Sequence, residues 1–467
     1  MMNALLSRML GTALVTLACF SSLSATELDS KSKQAIHDIV GTALKKHGTP
    51  SVSVAIVTDN EVAFTGAWGK ASLNPVRDAK PDMRYAIGSV SKQFTAAALL
   101  MLEADGKLSL DDKVSRYLPD MGAGGEATIR QLLAHTSGMR DYWPQDYVFR
   151  DMLTPVTADQ IIDRFARQPL DFAPGERWQY SNTGYVVAGK IFEQVAGEPL
   201  LSFLQRRVFK PLNMLSAMDF DQHTLDAHDP VPYTGYLMGP IQQAPRAGEG
   251  WMFAAGALAM TAEDLAKWDI SLMRESLMPH AQYAAFTREV LLNNGAGSQY
   301  GLGLSVKLKN ESRVLSHGGE VSGFVSSNTV YPDKHLAVVV LTNSDANNAA
   351  ASISEKIEEM LLKAGAPTDE AMLQQAKAIF TQLQQGKIDR TLFSDNGNHY
   401  FNETVLKQAM TSLGSLGKVK SFEQVRTSTR GGMTNRAFKV KADKGNVKVL
   451  TRTWINGPIE QFTVSPD

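Results

Sequence analysis

The sequence predicts an α/β protein of the α+β type, with an antiparallel sheet flanked by helices, an all-helical lobe, and a small C-terminal α+β domain. Three observations predict it. A helical pattern followed by two strand-like runs opens the body, two strand-like runs followed by a helical pattern close it, and the long stretch between reads as short helices and loops. Both ends of such a chain complete one sheet, while the helices between them form a lobe of their own. A cleft between sheet and lobe follows naturally.

The opening helix runs from Asp29 to His47. Ile36, Ile39, Val40, Ala43 and Leu44 recur at helical spacing, Gly48 suits a left-handed stop, and Pro50 blocks continuation. Val52 to Val57 and Val62 to Trp68, separated by Asp59-Asn60, read as a strand, a tight turn and a second strand. From Ser89 the period changes. Phe94, Ala96 to Ala98 and Leu99 to Leu102 are apolar on almost every side, which marks a helix inside the protein, ending at Asp105-Gly106. Short helices and loops fill the middle from about Leu108 to Met278, and Thr261 is expected to cap a helix with Asp264 reaching back to it.

Strands return at Phe324 to Tyr331 and Leu336 to Asn343, joined by Pro332-Asp333-Lys334, and a helix follows from Ala349 to Ala364. Ala366-Pro367-Thr368 reads as a junction. Residues 366–467 then carry a helix (Glu370 to Gln385) and strand-like runs at Ala437 to Val440, Val447 to Trp454 and Ile459 to Val464. The expected organisation is therefore a leader over residues 1–25, a main domain over 26–365 and a small domain over 366–467.

Composition excludes several classes. The 467 residues are 43% hydrophobic and 20% charged, with 47 basic against 48 acidic side chains and a net charge of −1. Such a balance builds no field for nucleic acid. The N-terminus has the pattern of an export signal: Arg8, a short apolar stretch from Met9 to Phe20, then small residues up to Ala25. Secretion or a periplasmic location is the expectation. Cys19, the only cysteine, lies inside this segment. The run Thr16-Leu17-Ala18-Cys19 offers a lipoprotein site, the one route foreseen to a membrane. The mature body then has no thiol nucleophile. No cluster of ligands at metal spacing occurs either, so neither metal nor cofactor is expected.

Three short motifs carry the chemistry. Ser89-Val90-Ser91-Lys92 begins the buried helix, and residues three apart share a helical face, so the amine reaches toward the hydroxyl. Burial disfavours the charged amine and makes it a base near neutral pH. Ser-x-x-Lys also occurs as Ser30…Lys33, in a polar helix, and Ser415…Lys418, in a polar loop. Tyr180-Ser181-Asn182 supplies a phenol able to shuttle a proton and an amide able to hold a polar substrate. Tyr400-Phe401-Asn402 is its decoy. His317-Gly318-Gly319 leads into a strand, where glycines allow a ligand to approach closely. The N–H of Glu320 is expected to pair with that of Ser89 as an oxyanion hole.

Together with Tyr85 to Ser89, Leu132 to Gly138 and Ala255 to Leu258, these motifs resemble the serine beta-lactamase and penicillin-binding-protein superfamily, in its class C-like branch. The resemblance runs from about Thr49 to Gly365. It implies Ser89 as nucleophile, Lys92 and Tyr180 as the acid/base pair, Asn182, His317, Gly318 and Gly319 at the substrate, and an ester, amide or small peptide as substrate. His135, Ser137 and Gly138 fall in one of its recurrent stretches and read as a turn. One departure matters: His317 stands where Lys-Thr-Gly is usual, and a neutral histidine does not attract a substrate carboxylate as an ammonium does. Beta-lactam hydrolysis is therefore expected to be weak or absent. The competing expectation is a non-catalytic sensor of cell-wall peptides, and Arg430-Gly431-Gly432-Met433 in the C-terminal segment receives no role.

Overall fold

The computed structural model describes residues 27–144, 148–237, 239–309, 312–364, 369–454 and 457–467. The leader with Cys19 and the junction at Ala366-Pro367-Thr368 lie outside them.

Helix α1 (Ser30–His47) starts at Asp29, whose carboxylate accepts from Ser32 N at 2.6 Å, and stops at Gly48 with φ 66°. Strands β1 (Ser51–Thr58) and β2 (Glu61–Leu73) form the first hairpin, and short β3 (Val76–Asp78) flanks it. Helix α2 (Lys92–Ala104) is buried from Lys92 to Leu102. Helices α3 (Asn182–Ala196) and α4 (Ala262–Arg274) belong to the long middle. The chain then returns as β4 (Ser305–Lys309), β5 (Ser312–Val321), β6 (Phe324–Tyr331), β7 (Leu336–Thr342) and α5 (Ala349–Ala364).

The sheet has seven strands in the order β3-β2-β1-β7-β6-β5-β4, every adjacent pair antiparallel. Its centre is the pairing of β1 with β7, Val52 opposite Thr342 through to Val57 opposite Ala337, so the two ends of the domain meet in one sheet as expected. Side-chain alternation assigns the faces. Val52, Val54, Ile56, Val338 and Val340 pack with Ile36 and Val40 of α1 and Ile353 and Ile357 of α5. Ala55, Val57, Val339 and Leu341 point the other way, into the larger core with α2, α3 and α4. Each fully buried Val, Leu or Ile contributes about 1.5–3 kcal/mol.

A chain of buried polar groups ties α2 to this sheet. Trp268 Nε1 donates to Gln93 Oε1 at 2.8 Å, Gln93 Nε2 to Asn328 Oδ1 at 3.0 Å, and Asn328 Nδ2 to the carboxylate of Asp269. The helix beginning at Thr261 differs from expectation. Thr261 Oγ1 accepts from Asp264 N at 3.1 Å, but Asp264 turns its carboxylate to Ser216 N (2.8 Å) and Oγ. Ser216 Oγ satisfies Thr261 N instead.

The C-terminal segment holds α6 (Asp369–Leu383), α7 (Glu403–Gly414) and four antiparallel strands, β8 (Val419–Arg430), β9 (Met433–Ala442), β10 (Gly445–Trp454) and β11 (Ile459–Pro466), in that spatial order. Strand β8 is absent from the sequence reading because bulges after Val419 and Gln424 break its two-residue period. Gly431 and Gly432, both at positive φ, form the turn from β8 to β9, which accounts for the glycine pair. Asn402 of the decoy caps α7, accepting from Val405 N.

Candidate active site

Ser89 sits on a 3-10 turn, Gly88–Ser91, just before α2 rather than on the α-helix itself. In a 3-10 turn residues three apart eclipse, so Ser89 and Lys92 project from the same side of the turn. Gly88 has φ 51°, and a Cβ there would lie 2.7 Å from Glu320 N, so the turn is pressed against the end of β5. Gly319 makes the reciprocal approach: its Cβ would stand 1.9 Å from Ile87 O. Both glycines line the cleft, and on its Cβ side Gly319 also admits the protein's own Ile87 carbonyl. Gly318 has only Ser326 O within 4 Å of the place a Cβ would take, and it lines the cleft.

Lys92 Nζ is buried and has three oxygen neighbours, Ser89 Oγ at 3.0 Å, Asn182 Oδ1 at 2.8 Å and Ala255 O at 2.7 Å. Two of them are carbonyl oxygens and can only accept. A neutral amine therefore spends its two hydrogens on them and turns its lone pair to Ser89. Burial lowers its pKa to about 7, and the charge of Asp141 partly opposes this.

Tyr180 OH donates to Ser89 Oγ at 2.7 Å, and Lys92 Nζ lies 4.9 Å from the centre of its ring. The same ring packs on His135, with centroids 4.2 Å apart. His135, at φ 59°, accepts from Ser181 N through Nδ1 at 3.1 Å. Ser181 in turn caps α3, accepting from Gly184 N at 3.1 Å. Tyr180 thus ends an extended segment and Asn182 begins a helix, which aims both side chains at Lys92. Gly138, at φ 77°, turns the chain beside Phe172 O, and Ser137 Oγ accepts from Met139 N.

Asp141 accepts from Asn182 N (3.0 Å), Asn182 Nδ2 (3.2 Å) and Trp143 N (3.1 Å), and burial raises its pKa. His317 donates from Nδ1 to Gly318 O at 2.5 Å, so Nε2 accepts from Tyr300 OH at 2.7 Å. Burial and then the charge of Lys92 push its pKa down to about 4, which makes it neutral at pH 7. Strand β4 pairs with β5 only as far as Ser316, and His317 to Val321 continue β5 along the cleft.

The cleft has a volume of about 850 Å³ and is lined by Ser89, Tyr180, Asn182, His317, Gly318 and Glu320 among others. Its described lining holds no lysine or arginine, while Glu320 and Asp345 are acidic. The sequence motifs found Ser89, Lys92, Tyr180, Asn182 and His317, which converge. They missed Asp141, Tyr300 and the Ala255 carbonyl. Ala255 stands in one of the recurrent stretches, but a backbone oxygen leaves no mark in a sequence.

Residues 36–358 match the family model described as Beta-lactamase. Penicillin-binding protein 4* of Bacillus subtilis is 28% identical over 360 residues, 72% of this chain and 74% of that protein. A D-aminopeptidase of Brucella anthropi is 27% identical over 350 residues, and the match spans 74% of this chain and 65% of the relative. The crystal structure of a D-stereospecific amidohydrolase from Streptomyces sp. superposes with a TM-score of 0.61 at 28% identity, covering 69% of this chain and 97% of that one.

Proposed function

The chain belongs to the beta-lactamase family and is a serine hydrolase, and from that premise we propose that it is exported and cleaves an ester or amide through an acyl-enzyme on Ser89. One observation carries the assignment of the nucleophile: Ser89 Oγ lies between an amine at 3.0 Å and a phenol at 2.7 Å, with the amine's other contacts both carbonyl oxygens.

Neutral Lys92 takes the Ser89 proton as Oγ bonds to the substrate carbonyl carbon. The negative charge on the carbonyl oxygen meets the N–H groups of Ser89 and Glu320, which the close contact of Gly88 with Glu320 brings to one wall. The carbon–leaving-group bond then breaks, and Tyr180 protonates the departing nitrogen or oxygen and recovers its proton from Lys92. Water adds to the acyl carbon, gives up a proton to the same pair, and Ser89 is released.

A small peptide or D-amino-acid derivative is the substrate class we favour, in keeping with the relative named as a D-aminopeptidase. The neutral His317 and the absence of lysine or arginine from the described lining argue against substrates that need a carboxylate held, beta-lactams among them. Export rests on the apolar leader and places the enzyme in the periplasm or outside the cell. A fluorophosphonate probe followed by peptide mapping tests the mechanism: the label belongs on Ser89, and a label on another serine overturns it.

A further inference from the structure

Ala255 O is one of the two carbonyl oxygens that hold the hydrogens of Lys92 Nζ, and it belongs to a single helical turn, Phe253–Gly256. The first N–H groups of a helical turn find no partner within it, and the residue in the capping position, Met252, carries no side-chain oxygen to receive them. The acceptor comes from another part of the chain. Asp221 Oδ2 accepts from Phe253 N at 2.9 Å, and the N–H groups of Met252 and Gly250 also face this carboxylate.

Asp221 is clamped on both sides of its own Cα. Its N–H donates to Asp219 Oδ1 at 2.8 Å, and Arg246 Nη2 donates to its carbonyl oxygen at 3.1 Å. Phe220 N donates to Ala257 O at 2.6 Å, which fastens the same segment to the residue just beyond the turn. The turn is held under strain. Phe253 has φ 30°, a value that L-residues avoid, and such a conformation persists only where the surroundings enforce it. Gly189 of α3 presses from the other side: a Cβ there would lie 2.4 Å from Ala254 Cβ and 2.7 Å from the Phe253 ring. Asp221 itself is buried, and its Oδ1 has no hydrogen-bond donor among the described residues. Burial pushes its pKa up to about 6, against the pull of the Phe253 N–H. A carboxylate buried with an empty acceptor costs stability, and an apolar side chain would not. Its gain lies in what the turn carries.

Resting on the catalytic reading of Ser89 above, we infer that Asp221 is a positioning residue for the reaction: by capping the Phe253–Gly256 turn it keeps the Ala255 carbonyl on Lys92 Nζ. It acts through that carbonyl and touches neither substrate nor nucleophile. The neutral amine has two hydrogens and one lone pair, and with both hydrogens taken by Asn182 Oδ1 and Ala255 O the lone pair is left for Ser89. Without the cap the turn relaxes and Ala255 O withdraws. A freed hydrogen then turns toward Ser89 Oγ, and the amine donates to the hydroxyl whose proton it has to remove.

The test compares the full mature enzyme with Asp221→Ala and Asp221→Asn, at a temperature where circular dichroism shows all three folded. Two rates are read: hydrolysis of p-nitrophenyl acetate, as kcat and KM, and labelling of Ser89 by a fluorophosphonate. Asp221→Ala should lower kcat and the labelling rate together by about tenfold to a hundredfold, the cost of a displacement near 1 Å. Its KM should stay within about threefold of wild type, because the substrate's own contacts are kept. Asp221→Asn keeps an oxygen for Phe253 N and should stay within about fivefold of wild type in both rates. Should the alanine variant fail to fold, Asp221→Ser, whose hydroxyl stops short of Phe253 N, takes its place with the same expected loss. A folded alanine or serine variant with wild-type kcat and labelling rate overturns the inference and leaves Asp221 a structural cap. A loss confined to KM overturns it too, as does an asparagine variant as slow as the alanine one. Wild type that is not labelled at Ser89 removes the catalytic reading itself, an outcome distinct from these.

Discussion

Asp141 accepts the Nδ2 hydrogen of Asn182 at 3.2 Å, and this contact decides which end of the Asn182 amide faces Lys92. A carboxylate can only accept, so the NH2 group turns to Asp141 and Oδ1 to the amine. Asp141 thereby orients a side chain that touches Lys92, and its charge also favours the protonated amine. Asp141→Asn should lower kcat/KM about tenfold to a hundredfold, the kinetic equivalent of one charge-assisted hydrogen bond. Losing the negative charge should also lower the pKa of Lys92 and move the acidic limb of the pH–rate profile to lower pH. An unmoved limb would leave Asp141 with a structural role only.

The lowered pKa of Lys92 sets the pH dependence of wild type. Activity needs the neutral amine, so kcat/KM should rise as pH passes through about 7. Stability should move in the same direction. Between about 7 and the ordinary lysine value of 10.5 the unfolded chain binds a proton that the folded one does not, so stability rises with pH across that window. Lys92→Met should remove the pH-dependent rise and reduce activity by about four orders of magnitude, because nucleophile and base act as one unit. Initial rates from pH 5 to 10, beside thermal unfolding over the same range, measure both effects.

Neighbouring glycines should respond very differently to alanine. Gly319→Ala places a methyl group 1.9 Å from Ile87 O, which forces β5 away from the turn bearing Ser89. Displacement by about 1 Å can cost a hundredfold in rate, and a loss of at least that size is expected. Gly318→Ala, whose nearest neighbour lies at 3.7 Å, should fold normally and change KM more than kcat. Steady-state kinetics with circular dichroism separates the two.

Tyr300 OH is the partner of His317 Nε2. Tyr300→Phe leaves a buried ring nitrogen without a donor and should destabilise the protein by about 1–3 kcal/mol. Chemical denaturation reads this directly. An unchanged midpoint would show that the pair contributes nothing to stability.

The linear sequence determined the antiparallel sheet, the buried helix and the motifs that bear Ser89, Lys92, Tyr180 and His317. Periodicity and residue type are local properties, and a helix apolar on every side admits one reading. It could not separate Ser89…Lys92 from its two decoys by spacing, only by the company each pair keeps. Strand β8 escaped because its bulges break the period that marks a strand. Tertiary structure alone decided the environment of the amine. The Ala255 carbonyl, the Asp141 carboxylate and the Tyr300 hydroxyl reach the site from segments far apart in the chain, and a pKa near 7 arises only once burial has removed water from Lys92. Hydrogen-bond geometry and desolvation depend on what surrounds a group in space, which spacing along a chain does not encode.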